Sequence, residues 1–180
     1  GFEVRSLPLT GDAIDEDVTT LMVVHPAGIP DSMQYAIDQF VMRGGNLLAF
    51  VDPNAETDEA ANDPNDPQAA MFANRSSDLP ALLKGWGVEY DPARVLLDAQ
   101  HALQVQSPSG QPVRHLAILG FDAKAMNQED VISAQLGSVN VSTAGVIRMA
   151  EKAPLALEPL IQSSADSMLV EAERIKFMAD

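Results

Sequence analysis

The chain contains no cysteine. Disulfide bonds, thiolate nucleophiles and cysteine-ligated zinc are therefore excluded together. Aromatic residues make up 5% of the 180 positions, so the core must be built mostly from Leu, Val, Ile, Ala and Met. Positive charge is scarce, with 11 Lys and Arg against 26 Asp and Glu and a formal net charge of −15. A field of that sign repels phosphate backbones and anionic lipid surfaces, which sets nucleic acid aside as a partner. Its ordinary role is solubility. No apolar run approaches the ~18 residues of a membrane-spanning helix, and the longest is Leu47–Val51. Motifs of nucleotide and acyl chemistry are missing too: no G-x-x-x-x-G-K-[ST], no G-x-G-x-x-G and no G-x-S-x-G occurs. Nothing in the sequence assigns a catalytic residue, a metal centre or a cofactor.

What remains suits a single α/β domain over residues 1–180, since a hydrophobic fraction of 46% is enough for a core. The chain opens on Gly1 in mid-pattern and carries no leader peptide, so it is expected to be a piece of a longer protein. Phe2–Leu7 alternates apolar and polar residues as a half-buried strand does, and Val18–His25 is a run of β-branched and aliphatic residues expected as a buried strand. Asp31 is a candidate N-cap with Gln34 as its capping-box partner. Met33, Ala36, Ile37, Phe40 and Val41 follow on one helical face. Gly44-Gly45 ends that helix, and Asn46–Val51 is a second buried strand. Strand, helix and strand over Val18–Val51 make a βαβ unit with two parallel strands.

Residues 52–68 are acidic and rich in Pro and Asn, and are expected as an exposed loop. A second helix runs from a Ser77 or Asp78 cap to Trp86, with Leu79, Leu82 and Leu83 inward. Arg94–Leu97 is expected as a strand, and Ala102–Gln106 with Val113–Leu119 as a β-hairpin, so that 94–119 could form a small β appendage. A short helix is expected over Asn127–Gln135, strands over Val139–Ile147 and Pro159–Ser163, and a helix over Ser167–Met178.

Ligands of parallel α/β sheets sit beyond the carboxyl ends of the strands. Those ends are His25-Pro26-Ala27-Gly28 and Asp52-Pro53-Asn54 here, and adjacent parallel strands bring His25 and Asp52 together. The candidate ligand-binding residues are accordingly His25, Gly28, Asp52 and Asn54. A His–Asp pair could do acid–base work or hold a metal, or the same residues could serve the turns that they start. Asp52, Asn54, Glu56 and Asp58 alternate like the first half of a calcium loop, but Thr57 and Asp63 stand where an EF-hand needs Gly and Glu. His101 and His115 flank the expected hairpin, as a conceivable metal pair or as surface residues.

Leu21–Pro26, Tyr35–Gly45 and Leu47–Pro53 resemble the signature segment of the GldG-like family, an auxiliary component of uncharacterised ABC-type transport systems tied in some bacteria to gliding motility. Phe2–Leu9, Leu79–Val88 and Glu158–Met168 are similar to further segments of that family. The resemblance implies a parallel-sheet, flavodoxin-like fold akin to class I glutamine amidotransferases. It implies a non-enzymatic, extracytoplasmic module, periplasmic and anchored in the full-length protein to the bacterial inner membrane. Its expected partners are the permease and ATPase subunits of the same system. The alternatives are a glycan- or small-ligand-binding domain and a metal-assisted hydrolase using His25 and Asp52. The amidotransferase nucleophile is a cysteine, which this chain lacks.

Overall fold

The computed structural model describes residues 3–58, 73–107 and 110–175. Strand β1 (Thr20–Val24), helix α1 (Asp31–Met42) and strand β2 (Asn46–Phe50) form the expected βαβ unit. β1 and β2 pair in parallel, with Met22 opposite Leu48 and Val24 opposite Phe50. Period-2 alternation turns Leu21, Val23 and Leu47 towards α1, where they pack with Met33, Ala36, Ile37 and the fully buried Phe40. Pro30 precedes α1 without a side-chain cap, and Asp31 is the first helical residue instead of the N-cap. α1 ends at Arg43, and Gly44 turns the chain at φ 97°. Gly45 packs its α-carbon against the Phe40 ring, leaving no room for a side chain.

Helix α2 (Pro80–Trp86) closes this first core with Leu79 and Leu82. It ends on Gly87, whose φ of 72° is the left-handed C-cap conformation that glycine adopts without strain. The Trp86 indole N–H donates to the Asp38 carboxylate of α1 at 2.9 Å, tying the two helices together.

The parallel pattern stops at β2, and the expected flavodoxin-like, amidotransferase-like parallel sheet is overturned. The seven-residue α2 leads directly into β3 (Val88–Tyr90), which pairs antiparallel with β8 (Ile147–Met149). β4 (Arg94–Asp98) pairs antiparallel with β9 (Ser167–Glu171). The expected hairpin is present as β5 (Ala102–Gln106) and β6 (Pro112–Asp122), and β7 (Ser138–Ser142) extends it to three antiparallel strands. A doubly wound sheet needs a crossover helix between successive strands. The segments expected to supply helices do not: 127–135 forms turns and bends, and Ser167–Glu171 is strand β9, followed by one helical turn, α3 (Ala172–Ile175). Residues 176–178 of that expected helix lie outside the described residues. Three shorter expectations are corrected too. Residues 3–7 form no strand and leave Val4 exposed, 139–147 divides into β7 and β8, and 159–163 contributes only the bridge of Ile161 to Met126.

Two small clusters support the antiparallel part. Val95, Leu97 and Ala117 pack on one side of β4, and Leu96, Leu119 and Phe121 on the other. β4 is buried on both faces, which explains why Val95-Leu96-Leu97 reads as a continuous apolar run. Among the described residues no helix is long and apolar enough to cross a membrane.

Candidate functional site

The carboxyl ends of β1 and β2 lie side by side, because the His25 N–H donates to the Phe50 carbonyl at 3.0 Å and prolongs the parallel ladder. The chain then turns sharply, and His25 takes φ 50°, a conformation that side-chain-bearing residues avoid. Its imidazole Nε2 lies 3.5 Å from the Asp58 carboxylate, and its Nδ1 is buried with no hydrogen-bond partner. The sequence pairing of His25 with Asp52 is thus replaced, at contact distance, by His25 with Asp58.

Asp52 is still within electrostatic reach of His25. Burial pushes its carboxyl above the usual range, while the Asn54 N–H and the His25 ring act to lower it. Its Oδ1 accepts the Asn54 N–H at 2.8 Å, an Asx turn that starts the acidic loop. Ser77 stitches the turn to the far end of the loop, accepting from Asp52 N at 2.8 Å and donating its own N–H to the Asp52 carbonyl at 2.8 Å. Asn54 is buried, and its carbonyl accepts the Thr143 hydroxyl at 3.0 Å. Thr143 has φ 49°, so His25 and Thr143, the two non-glycine residues at positive φ among those described, bracket the Asp52–Asn54 turn. Such strain persists only where surrounding packing fixes it. Gly28 has φ 66° and open space beside it, so its role is the turn of the loop before α1. No described contact joins it to the other three.

Tyr90 belongs to this neighbourhood and was not anticipated. Its hydroxyl is buried with no hydrogen-bond partner, and its ring packs against Gly145. Burial, reinforced by the charges of Asp52, Asp78 and Asp91, holds the phenol well above its ordinary range, so it stays protonated as a donor. Nothing in the sequence marked this residue, because the three-residue strand Val88–Tyr90 that carries it is too short to give a pattern of its own.

The calcium-like alternation does not converge. Asp52 turns to Asn54, Asn54 to Thr143, Glu56 accepts the Ser142 hydroxyl at 3.1 Å, and Asp58 faces His25. Asp63 lies outside the described residues. His101 and His115 do not converge either: His101 Nδ1 is 2.9 Å from Asp98, and His115 Nδ1 accepts the Ala117 N–H at 3.3 Å. Among the described residues no three His, Asp or Glu side chains are grouped to hold a metal. Polar atoms left without a hydrogen-bond partner in this neighbourhood, among the described residues, are the buried Tyr90 hydroxyl and His25 Nδ1, and the carboxylates of Asp52 and Asp58 lie near His25.

Fold and site together define a mixed α/β module whose conspicuous polar groups cluster at one βαβ end. A model of the protein family described as ABC-type uncharacterized transport system, an auxiliary family, matches residues 1–180, and the chain belongs to that family. Neither the curated proteins nor the solved structures contain a match to it.

Proposed function

We propose that this auxiliary component is a non-enzymatic, periplasmic module of an ABC-type transport system of the gliding-motility, GldG-like kind, carried by a protein anchored in the bacterial inner membrane. It works by binding the permease of that system, and through it the ATPase complex, with the outer face of β1 and β2. The observation that supports this reading is the exposure of that face. Met22 and Val24 are 63% exposed, Leu48 44% and Phe50 51%, and register sets them side by side in two rows. Parallel strands are normally covered on both faces, typically by helices, and α1 covers only one here. A contiguous apolar patch of this kind marks an interaction site. The occupant that fits is an apolar helix face of the partner rimmed by Lys and Arg, since the chain itself carries a net charge of −15.

The test is crosslinking capture of the tagged full-length protein from native membranes, with Met22→Gln and Phe50→Gln variants alongside. Recovery of permease or ATPase subunits with the wild type, and their loss with the variants, supports the reading. Recovery that is equal for both, dimerisation through this face, or a face already covered by another segment of the full-length protein, overturns it.

A second reading is a glycan- or small-ligand-binding site at His25, Asp52 and Asn54. It is favoured by polar atoms buried in that neighbourhood without partners among the described residues, His25 Nδ1 and the Tyr90 hydroxyl. The metal-assisted hydrolase has less support, because no third ligand converges on His25 and Asp52 among the described residues.

A further inference from the structure

Asp98 closes β4 and is fully buried. Its carboxylate accepts hydrogen bonds from two separate stretches of chain. Oδ1 accepts the Gln100 N–H at 2.9 Å, the His101 N–H at 3.2 Å and the Ser164 hydroxyl at 2.7 Å. Oδ2 accepts from the Ser164 N–H at 2.7 Å and from His101 Nδ1 at 2.9 Å. Burial alone would push this carboxyl up, but the hydrogen bonds from His101 and Ser164 outweigh it and hold the group well below the usual carboxylate range.

An ionised carboxylate can only accept. The proton on the neutral His101 ring must therefore sit on Nδ1, and the lone pair on Nε2. Phe121 fixes the ring plane from one side, its centroid 4.7 Å from that of the imidazole. Among the described residues Nε2 has no hydrogen-bond partner, and it is not one of the fully buried unpartnered atoms. One tautomer and one orientation are thus imposed on a histidine that stays accessible.

His101 lines a cleft of about 740 Å³, within the size range of small-molecule sites. The Asp98 hydrogen bonds join its two walls, the turn after β4 and the segment at Ser164, so the cleft is pre-organised. Five of the twelve lining residues carry amides or hydroxyls: Gln100, Asn127, Gln162, Ser163 and Ser164. The Gln162 side chain makes no hydrogen bond among the described residues, and an amide offers both donor and acceptor. The wall carries one acidic and one basic side chain, Asp122 and Lys124, so it offers no net positive charge from these two, and the chain's net charge of −15 opposes a phosphate or other polyanion. The scarcity of apolar lining opposes a lipid tail or an aromatic ring.

We propose that this cleft binds an uncharged, hydroxyl-rich ligand of the mono- to disaccharide class, with His101 Nε2 accepting a hydrogen bond from a ligand hydroxyl. Gln162 and Ser163 read neighbouring hydroxyls on the opposite wall. The cleft shares no residue with the β1–β2 face, so either site stands if the other fails.

The probe is a printed array of mono- and disaccharides screened with the 180-residue chain, followed by titration of the retained sugar while the His101 ring nitrogens are observed by ¹⁵N NMR. Retention of a sugar is expected, with movement of the Nε2 signal on saturation and Nδ1 as the protonated nitrogen at pH 8. His101→Gln should weaken binding about tenfold, the worth of one well-made hydrogen bond, and the exposed Gln162→Ala several-fold. Should His101→Gln fail to fold, Gln162→Ala and the Nε2 signal decide. Retention of no sugar, a retained sugar indifferent to both variants, or a proton on Nε2 instead of Nδ1 overturns the proposal.

Discussion

Gln34 lies in α1, yet its side-chain oxygen accepts the backbone N–H groups of Ala81 and Leu82, at 3.0 and 3.2 Å, in the first turn of α2. A helix leaves its first N–H groups without partners, and a local N-cap side chain normally accepts them. Leu79 holds the N-cap position of α2 and offers no such group. Gln34 supplies the cap from 47 residues away, while its own amide donates to the Ile29 carbonyl at 3.1 Å.

Gln34→Ala should therefore destabilise the fold by roughly 1–3 kcal/mol, because it leaves buried N–H groups unsatisfied. Urea denaturation at pH 7 would show a lower midpoint at unchanged slope. A midpoint equal to the wild type would mean that water replaces the cap, and the capping account would fail.

Gly45 and Gly85 should respond to alanine in opposite directions. A methyl group at Gly45 would meet the ring of Phe40, which is fully buried and cannot retreat. Overpacking of this kind costs about 1–3 kcal/mol. Gly85 lies within α2 with open space around it and no positive φ, so Gly85→Ala should stabilise by about 0.5–1 kcal/mol. Thermal melts of the two variants beside the wild type check both signs. A stabilised Gly45→Ala would contradict the packing of α1 against the Gly44-Gly45 turn.

Much of the βαβ unit was legible before the structure, and the reason is local. The i, i+3, i+4 spacing from Met33 to Val41, the Gly44-Gly45 stop and the apolar run before Val51 are all short-range signals. The antiparallel part was legible only as fragments. Ser167–Glu171 carries an apolar pattern that fits a helix face as well as a strand, and its pairing with β4 is fixed by contacts some seventy residues apart in sequence. The extrapolation from one βαβ unit to a full parallel sheet failed for that reason. At the candidate site, His25 and Asp52 could be placed by the strand-end rule, whereas Asp58, Thr143 and Tyr90 arrive through tertiary packing. His101 was noticed, with His115, as a conceivable metal pair or as a surface residue, and its contact with Asp98, three residues before it, was not foreseen.

Asp52 should make the protein less stable at neutral pH than an amide there would. Burial raises its folded-state value above the unfolded one, so the folded state favours the protonated form. The contribution of that protonated form is present at low pH and is lost as pH rises through the raised value. Asp52→Asn keeps an oxygen to accept the Asn54 N–H and removes the charge. Its melting temperature should exceed the wild type's at pH 7, and the difference should shrink as pH falls below the carboxylate range. A difference independent of pH would assign the effect to packing instead of charge.

Asp98 should behave in the opposite sense. Its folded-state value lies below the unfolded one, so its stabilising contribution is fully present above the ordinary carboxylate range and is lost as pH falls below it. Ser164→Ala removes one donor, the hydroxyl to Oδ1, while keeping the backbone N–H to Oδ2. The variant should lose stability at pH 7 and show a shallower acid limb, because less proton affinity separates its folded and unfolded carboxylates. Asp98→Asn should flatten that limb further and, by freeing the His101 tautomer, disturb the cleft in the same molecule. Melts between pH 2.5 and 7 compare the three slopes. If the acid limb of Asp98→Asn matches the wild type's, the five hydrogen bonds on this carboxylate do not set its charge, and the fixed tautomer of His101 loses its physical basis.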